Sequence, residues 1–149
     1  MRTDYNRHEI REKAVQALFP FDFNVELTKA QAIENALFID DNDLLDEEQE
    51  NFVPEYLDLL VTGIIERKVE LDGVIEKHLS KSWTLKRIAK MDLIILRIAI
   101  FEMFYISDVD GKVAINEAIQ LAKAFSDERS AKFVNGVLSN VLADLEKEE

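Results

Sequence analysis

The sequence KMDLIILRIAIFEMFYI, residues 90–106, constrains the fold more than any other part of this chain. Its apolar residues are not confined to one stripe, as they are in a helix that lies at a protein surface. A helix that is apolar on nearly every side is stable in water only when other elements surround it. We therefore predict a central helix over residues 90–106 with further helices packed around it.

Two charged residues, Arg97 and Glu102, interrupt the most apolar part of this segment, residues 93–106. A buried charge without a partner costs several kcal/mol, so each side chain must find a partner or reach the edge of the helix. We favour an internal ion pair or hydrogen bonds to a neighbouring helix. Contact with another protein is the alternative.

The same segment is too short to cross a membrane. Its most apolar part, residues 93–106, is fourteen residues long, whereas about 20 are needed to span a bilayer. The amino-terminal sequence MRTDYNRHEIREK lacks the apolar core of a secretion signal. We expect a soluble, cytoplasmic protein with no membrane partner.

Helix start and stop signals place the first helix. Asn6 is a good N-cap, and Glu9 three residues later completes a capping-box pattern. The helix is expected to end near Phe19, before Pro20. Its core-facing stripe is Ile10, Ala14, Ala17, Leu18 and Phe21.

Comparable signals predict helices along the rest of the chain. Thr28 and Gln31 open a short helix, Pro54 opens a longer one, and residues 113–125 and 128–146 form the last two. Four glycines and two prolines provide few of the turns that an all-β fold requires. We predict an all-α fold, a single-domain helical bundle of about six or seven helices over residues 1–149. The acidic residues 40–50 are expected to form a solvated loop.

Composition argues against most enzymes. The chain has no cysteine, so it has no disulfide, thiol nucleophile or thiolate metal site. The sequence HEIRE at His8 lacks the second histidine of a helical zinc site, and neither His8 nor His78 lies near a Ser-nucleophile signature or a cluster of metal-ligand spacing. No glycine pattern for a nucleotide is present. We therefore expect no enzymatic activity, no cofactor and no metal.

Two features indicate local binding of RNA by a protein whose formal charge is −12. Arg7 and Arg11 are four residues apart, so both guanidinium groups are expected to point outward from the first helix. Phe133 lies about 100 degrees from the apolar stripe of the last helix, beside Arg129 and Lys132. An aromatic ring flanked by cations is suited to stacking on an unpaired base, although an aromatic in a helix is more commonly part of the core.

Several blocks of this sequence resemble the NusB family of transcription antitermination factors, and they occur in the order expected for that family. The likeness covers most of the chain and is weakest across residues 21–51. The blocks are VAINEAI at 113–119, KFVNGV at 132–137, IILRIAI at 94–100 followed by Glu102, and Arg11 with Ala14, Gln16, Ala17, Leu18 and Phe19.

The resemblance implies a helical adaptor that pairs with NusE, a ribosomal protein of the small subunit, and binds the boxA element of nascent single-stranded RNA. With RNA polymerase, such a complex reads through terminators, notably in ribosomal RNA operons. Glu9 and Glu12 interrupt an amino-terminal segment that is richer in arginine in many members, so weak binding by the isolated protein is expected. The resemblance, with the polar turn at residues 126–132, implies RNA contacts by Arg2, Arg7, Arg11, Lys13, Arg129, Lys132 and Phe133, and partner contacts by Asp92, Arg97 and Tyr105.

Two other interpretations fit parts of the sequence. A similar helical domain precedes the catalytic domain of certain RNA cytosine methyltransferases, and that alternative requires a cofactor-binding domain encoded beyond Glu149. The other alternative is a protein-only interaction module, including a homodimer formed through exposed apolar helix faces. That alternative predicts no RNA binding and no change in partner affinity when Arg7 and Arg11 are replaced by alanine.

Overall fold

The computed structural model describes residues 4–39 and 52–148, and every regular element in these ranges is helical. The prediction of an all-α fold is confirmed. The acidic residues 40–50 and Arg2 lie outside the described residues. In chain order the helices are α1 (Arg7–Phe23), α2 (Lys29–Phe38), α3 (Glu55–Glu66), α4 (Lys68–Lys77), α5 (Lys90–Tyr105), α6 (Gly111–Phe125) and α7 (Glu128–Lys147), with a short 3₁₀ turn at Leu85–Arg87.

The chain divides into two compact units, Met1–Gly63 and Ile64–Glu149, with the boundary inside α3. In the first unit, α1 packs against α2. The second unit is built from α4, α5, α6 and α7. That the whole chain forms one domain stays a prediction.

The caps predicted for the first two helices are confirmed. The backbone N–H of Glu9 donates to Asn6 Oδ1 at 2.8 Å, and the backbone N–H of Asn6 donates back to Glu9 Oε1 at 3.4 Å. Thr28 and Gln31 make the same reciprocal pair at 3.1 and 3.0 Å. Each pair satisfies backbone donors that have no partner within the helix, so both helices begin where the sequence indicates.

The predicted end of the first helix is wrong, because α1 continues through Pro20 to Phe23. Proline removes one backbone donor, which usually ends a helix. Here the last turn is closed by the N–H of Asn24, which donates to the carbonyl of Pro20 at 3.1 Å. The rings of Phe19 and Phe23 also contact each other edge to face, with centroids 5.0 Å apart. These contacts hold the turn that follows the proline.

The second unit is organised around α5, as the sequence predicts. All eleven residues from Asp92 to Glu102 are buried. Helices α4, α6 and α7 each pack against α5, and α6 also packs against α7. The apolar stripe of α7, which is Val134, Val137, Leu138 and Val141, is buried in the same unit. One consequence is that the start of α7, which carries Phe133, has a fixed position on this core.

Candidate nucleic-acid interface

Phe133 lies near the start of α7 and is only half-buried. Asp127 caps this helix by accepting a hydrogen bond from the backbone N–H of Ser130 at 2.8 Å. The neighbouring Arg129 and Lys132 are exposed. The ring of Phe133 is therefore partly exposed to solvent and partly packed on the core. Two exposed cations lie close to it along the helix.

The ring of Phe133 contacts a second aromatic ring that no sequence pattern indicates. The rings of Trp83 and Phe133 have centroids 5.6 Å apart and an interplanar angle of 43°. Trp83 is the only tryptophan of the chain and keeps 41% of its surface exposed. We call Trp83 and Phe133 the aromatic pair. Trp83 lies in a short irregular segment, so no periodic pattern marked it.

A guanidinium group lies beside the aromatic pair. Arg87 Cζ is 5.1 Å from the centroid of the Trp83 ring, within cation–π distance. Its Nη1 donates to the carbonyl of Ser82 at 2.6 Å. The signal that could have indicated this site is charge, because residues 81–90 contain Lys81, Lys86, Arg87 and Lys90 but no Asp or Glu.

The amino-terminal cations are arranged differently from the prediction. Arg7 is exposed, and its Cζ lies 4.1 Å from the centroid of the Tyr56 ring. Arg11 is only 4% exposed, and Lys13 is 3% exposed with its Nζ donating to the carbonyl of Ala36 at 3.1 Å. The expectation that Arg11 presents its guanidinium outward is therefore wrong. The ammonium group of Lys13 is used in a hydrogen bond to α2.

The physical reason is the width of the buried face of α1. The core-facing stripe predicted for α1 was narrow, so the side of the helix that carries Arg11 and Lys13 was expected to be exposed. The structure instead buries Ala14, Val15, Ala17 and Leu18 nearly completely. A face this wide includes the positions of Arg11 and Lys13, so their stems and charges are enclosed.

Asp92, expected to contact a partner, is only 7% exposed. Its Oδ2 accepts a hydrogen bond from Ser130 Oγ at 3.2 Å, while its Oδ1 is buried without a hydrogen-bond partner in the described structure. Burial raises the pKa of Asp92, the hydrogen bond from Ser130 opposes that rise, and the negative charge of Asp127 adds to it. The side chain is an internal group between α5 and α7 rather than part of an exposed surface.

Arg97 is also buried, which contradicts its expected place on a partner surface. Its Nε and Nη2 donate to the two carboxylate oxygens of Asp72 at 2.7 and 3.0 Å. The internal ion pair favoured from the sequence is confirmed for Arg97. Glu102 is almost completely buried as well.

Tyr105 is the one predicted partner residue whose side chain is exposed. Its hydroxyl donates to Glu70 Oε1 at 2.5 Å, and the guanidinium of Arg67 lies 4.4 Å from its ring centroid. The side chain, at the carboxyl-terminal end of α5, is held beside Glu70 of α4 while part of the ring stays open to solvent. A role for Tyr105 in binding a partner stays a prediction.

The described residues contain neither a candidate membrane-spanning helix nor a candidate metal cluster. No helix among them has both the length and the apolar character required to cross a bilayer. Within 4–39 and 52–148, no three His, Asp or Glu side chains form a group that could hold a metal ion.

Known proteins that are similar to this chain in sequence or in structure carry the NusB name. A relative from Enterococcus faecalis, named transcription antitermination protein NusB, is 57% identical over 147 residues, which cover 99% of this chain and 96% of the relative. NusB from T. maritima superposes with a TM-score of 0.76 and 31% identity, over 93% of this chain and 92% of that chain. A chain from a crystal structure of the antitermination factors NusB and NusE with double-stranded RNA gives a TM-score of 0.73 and 25% identity, over 91% and 94% of the two chains.

The family model gives the same assignment over most of the sequence. Residues 8–143 match the model of the NusB family. This range begins in α1 and ends in α7, so it covers most of each compact unit. The resemblance noted in the sequence blocks is thereby confirmed, and this chain belongs to the NusB family.

Proposed function

We propose that this chain is a transcription antitermination factor that binds boxA-type nascent RNA together with NusE. The complex acts on RNA polymerase in the cytoplasm to promote read-through, notably in ribosomal RNA operons. Support comes from relatives that carry the antitermination name and from a fold shared with a NusB chain found in complex with NusE and RNA. The proposed role requires binding alone, without bond making, so the chain is not an enzyme.

The observation that carries the RNA-binding part of this proposal is the aromatic pair with its surrounding cations. Aromatic side chains stack on unpaired bases, and arginine and lysine neutralise the phosphates between them. Trp83 and Phe133 supply the rings. Exposed cations occur in both segments that carry these rings: Lys81, Lys86 and Arg87 around Trp83, and Arg129 and Lys132 around Phe133.

The charge of the chain explains why a second protein is needed. A body with a formal charge of −12 repels a polyanion at long range, so RNA contacts must be local. Neutralising about three or four phosphates gives only modest affinity. When NusE binds the same transcript, the second contact becomes intramolecular and the combined affinity rises by orders of magnitude. We therefore expect weak binding by the isolated chain and strong binding by the pair.

The form of the RNA is a separate part of the proposal. The related NusB–NusE complex contains double-stranded RNA. For this chain we propose an unpaired boxA segment, because bases must be unstacked before they can stack on side chains. Arg7, exposed on α1, is proposed as a further phosphate contact. Arg11 and Lys13 are left out of the RNA surface because their side chains are buried.

Fluorescence anisotropy with labelled RNA tests this proposal. A boxA oligonucleotide and a scrambled sequence of equal length are titrated with the chain, alone and with NusE present. We expect a preference for boxA that is much stronger with NusE, and a loss of about tenfold for Phe133→Ala, since base stacking contributes that order of affinity. Equal affinity for the two RNAs in the presence of NusE would contradict the proposal.

A matched variant separates loss of binding from loss of fold. Phe38→Ala removes an aromatic side chain that is 45% exposed on α2. We expect this variant to bind boxA RNA as the parent does. Circular dichroism and affinity for NusE should be unchanged for Phe133→Ala, because its ring is only half-buried.

A further inference from the structure

We propose that Trp83 is the primary stacking residue for an unpaired nucleobase, with Phe133 supporting it and Arg87 and Lys86 binding the adjacent phosphate. This inference rests on the proposed function, because it identifies the part of the RNA that this surface recognises. The main stacking contact with the base is thereby assigned to Trp83, which lies outside α7. It also makes this surface selective for unpaired nucleotides.

Exposure distinguishes the two rings. Phe133 is half-buried between the cationic start of α7 and the core, whereas Trp83 has 41% of its surface open. The tilted contact between the rings, with centroids 5.6 Å apart, places Phe133 as a support for the indole. An indole offers the largest aromatic surface among the side chains, and its exposed part is available to stack on a base.

The segment that carries Trp83 is held in place by its own hydrogen bonds. The backbone N–H of Trp83 donates to the carbonyl of Ser80, and that of Arg87 donates to the carbonyl of Thr84, each at 3.0 Å. Ile88, immediately after the 3₁₀ turn, is buried and fixes this segment to the core. A preorganised ring loses little conformational entropy when a base binds, which favours affinity.

Arg87 connects the ring to the phosphate. Its guanidinium is already held near the Trp83 ring by the 2.6 Å hydrogen bond from Nη1 to the carbonyl of Ser82. That bond uses one of the five N–H donors of a guanidinium, so others can reach a phosphate oxygen. Lys86 precedes it in the same 3₁₀ turn and is exposed.

The charge around this segment is opposite to that of the whole chain. Residues 81–90 carry four cations and no carboxylate, in a chain with 30 Asp and Glu against 18 Lys and Arg. A transcript repelled elsewhere is therefore attracted locally to the segment that presents the indole. Charge and stacking surface thus come from the same ten residues.

Because the chain has a single tryptophan, its fluorescence reports directly on this site. The full-length protein with NusE is titrated with unstructured boxA RNA, with the same RNA annealed to its complement, and with inorganic polyphosphate. To keep the signal specific, the NusE used must contain no tryptophan or carry it replaced by phenylalanine. We expect quenching by single-stranded RNA with the midpoint seen in anisotropy, weaker quenching by the duplex, and none by polyphosphate.

Each other outcome has a distinct meaning. RNA binding in the anisotropy assay without a change in Trp83 emission would overturn this inference and leave the proposed function standing. Equal quenching by polyphosphate would also overturn it, because the response would then report charge alone. No RNA binding by the pair in either assay would overturn the proposed function together with the inference.

Two substitutions at position 83 complete the test. Trp83→Leu keeps an apolar side chain but removes the aromatic face, and we expect RNA affinity to fall further than in Phe133→Ala, by about thirtyfold. Trp83→Phe keeps a smaller aromatic face and should lose only a few-fold. If Trp83 merely covered the core, the midpoint of urea unfolding would fall in both variants while the RNA affinity of the folded protein stayed unchanged, which would overturn the inference.

Discussion

At the scale of single residues, the second unit accommodates its buried charges in two different ways. Arg97 is neutralised by a bidentate ion pair with Asp72. Asp92 has only the hydroxyl of Ser130 for one oxygen and no partner for the other in the described structure. A buried charge is tolerated in the first arrangement and is costly in the second. The two residues should therefore respond in opposite directions to loss of charge.

Removing the partner of Arg97 should destabilise the protein. Asp72→Ala leaves a buried guanidinium without its carboxylate, and we expect the free energy of unfolding to fall by about 3 kcal/mol. Glu76→Ala removes an exposed carboxylate from the same helix and should change it by less than about 0.5 kcal/mol. Urea unfolding at pH 7 measures both. Similar midpoints for the two variants would mean that the ion pair does not stabilise the fold.

Removing the charge of Asp92 should have the opposite effect. Asp92→Asn keeps the size of the side chain and an acceptor for Ser130, so we expect stability at pH 7 to rise by about 1 kcal/mol. Because burial raises the pKa of Asp92, this gain should disappear as pH falls and the parent carboxyl becomes protonated. Urea unfolding between pH 7 and pH 4 follows the difference. Ser130→Ala removes the hydrogen bond to the Asp92 carboxylate and should lower the free energy of unfolding at pH 7. A fall in the free energy of unfolding for Asp92→Asn as well would contradict this account.

At the scale of elements, the starts of the first two helices and the central helix could be predicted from the sequence, whereas the end of α1 beyond Pro20 and the burial of Arg11 could not. The capping boxes at Asn6 and Thr28 and the buried helix α5 were predicted because caps and periodicity depend on near neighbours in sequence. Burial of Arg11 could not be predicted, since the width of a buried face is set by tertiary packing. Trp83 was missed for the same reason: its contact with Phe133 joins segments 50 residues apart.

The contact between α4 and α7 predicts a dependence of stability on pH. His78 Nε2 lies 2.6 Å from Asp144 Oδ2, and this hydrogen bond is the main cause of a lowered pKa of Asp144. A carboxyl whose pKa is lower in the folded state stabilises the fold above its unfolded pKa, about 3.9, and loses that contribution as pH falls through the folded value. Asp144→Asn should therefore be less stable than the parent near neutral pH, and the difference should shrink below about pH 4.

Urea midpoints of the parent and of Asp144→Asn at pH 7, 5, 4 and 3 measure this contribution. Glu146→Gln neutralises an exposed carboxyl on the same helix and serves as the control. We expect the control to follow the parent at every pH. A constant difference between Asp144→Asn and the parent across the series would rule out titration of Asp144 as the cause.

At the scale of the whole molecule, an acidic chain must bind RNA through a small cationic area. The formal charge of −12 repels RNA. This repulsion weakens as the salt concentration rises, because salt screens the charges. Contacts of single cations with phosphates weaken with salt because counterions are no longer released as favourably. The slope of affinity against salt therefore reports how many phosphates are contacted directly.

For single-stranded RNA, about three or four phosphate contacts predict a slope of log affinity against log salt of roughly −2 to −3. Arg87→Ala should make this slope shallower by about 0.7, the value of one contact. Lys147→Ala changes the net charge equally, but Lys147 is fourteen residues after Phe133 on α7, about 21 Å along the helix axis. Anisotropy titrations from low to high salt with NusE present compare the two variants.

For Lys147→Ala we expect the same salt slope as for the parent protein, because long-range charge alters affinity at low salt without removing a phosphate contact. A parent slope for Arg87→Ala would show that its guanidinium does not bind phosphate, whereas equal changes in both variants would assign the salt dependence to net charge.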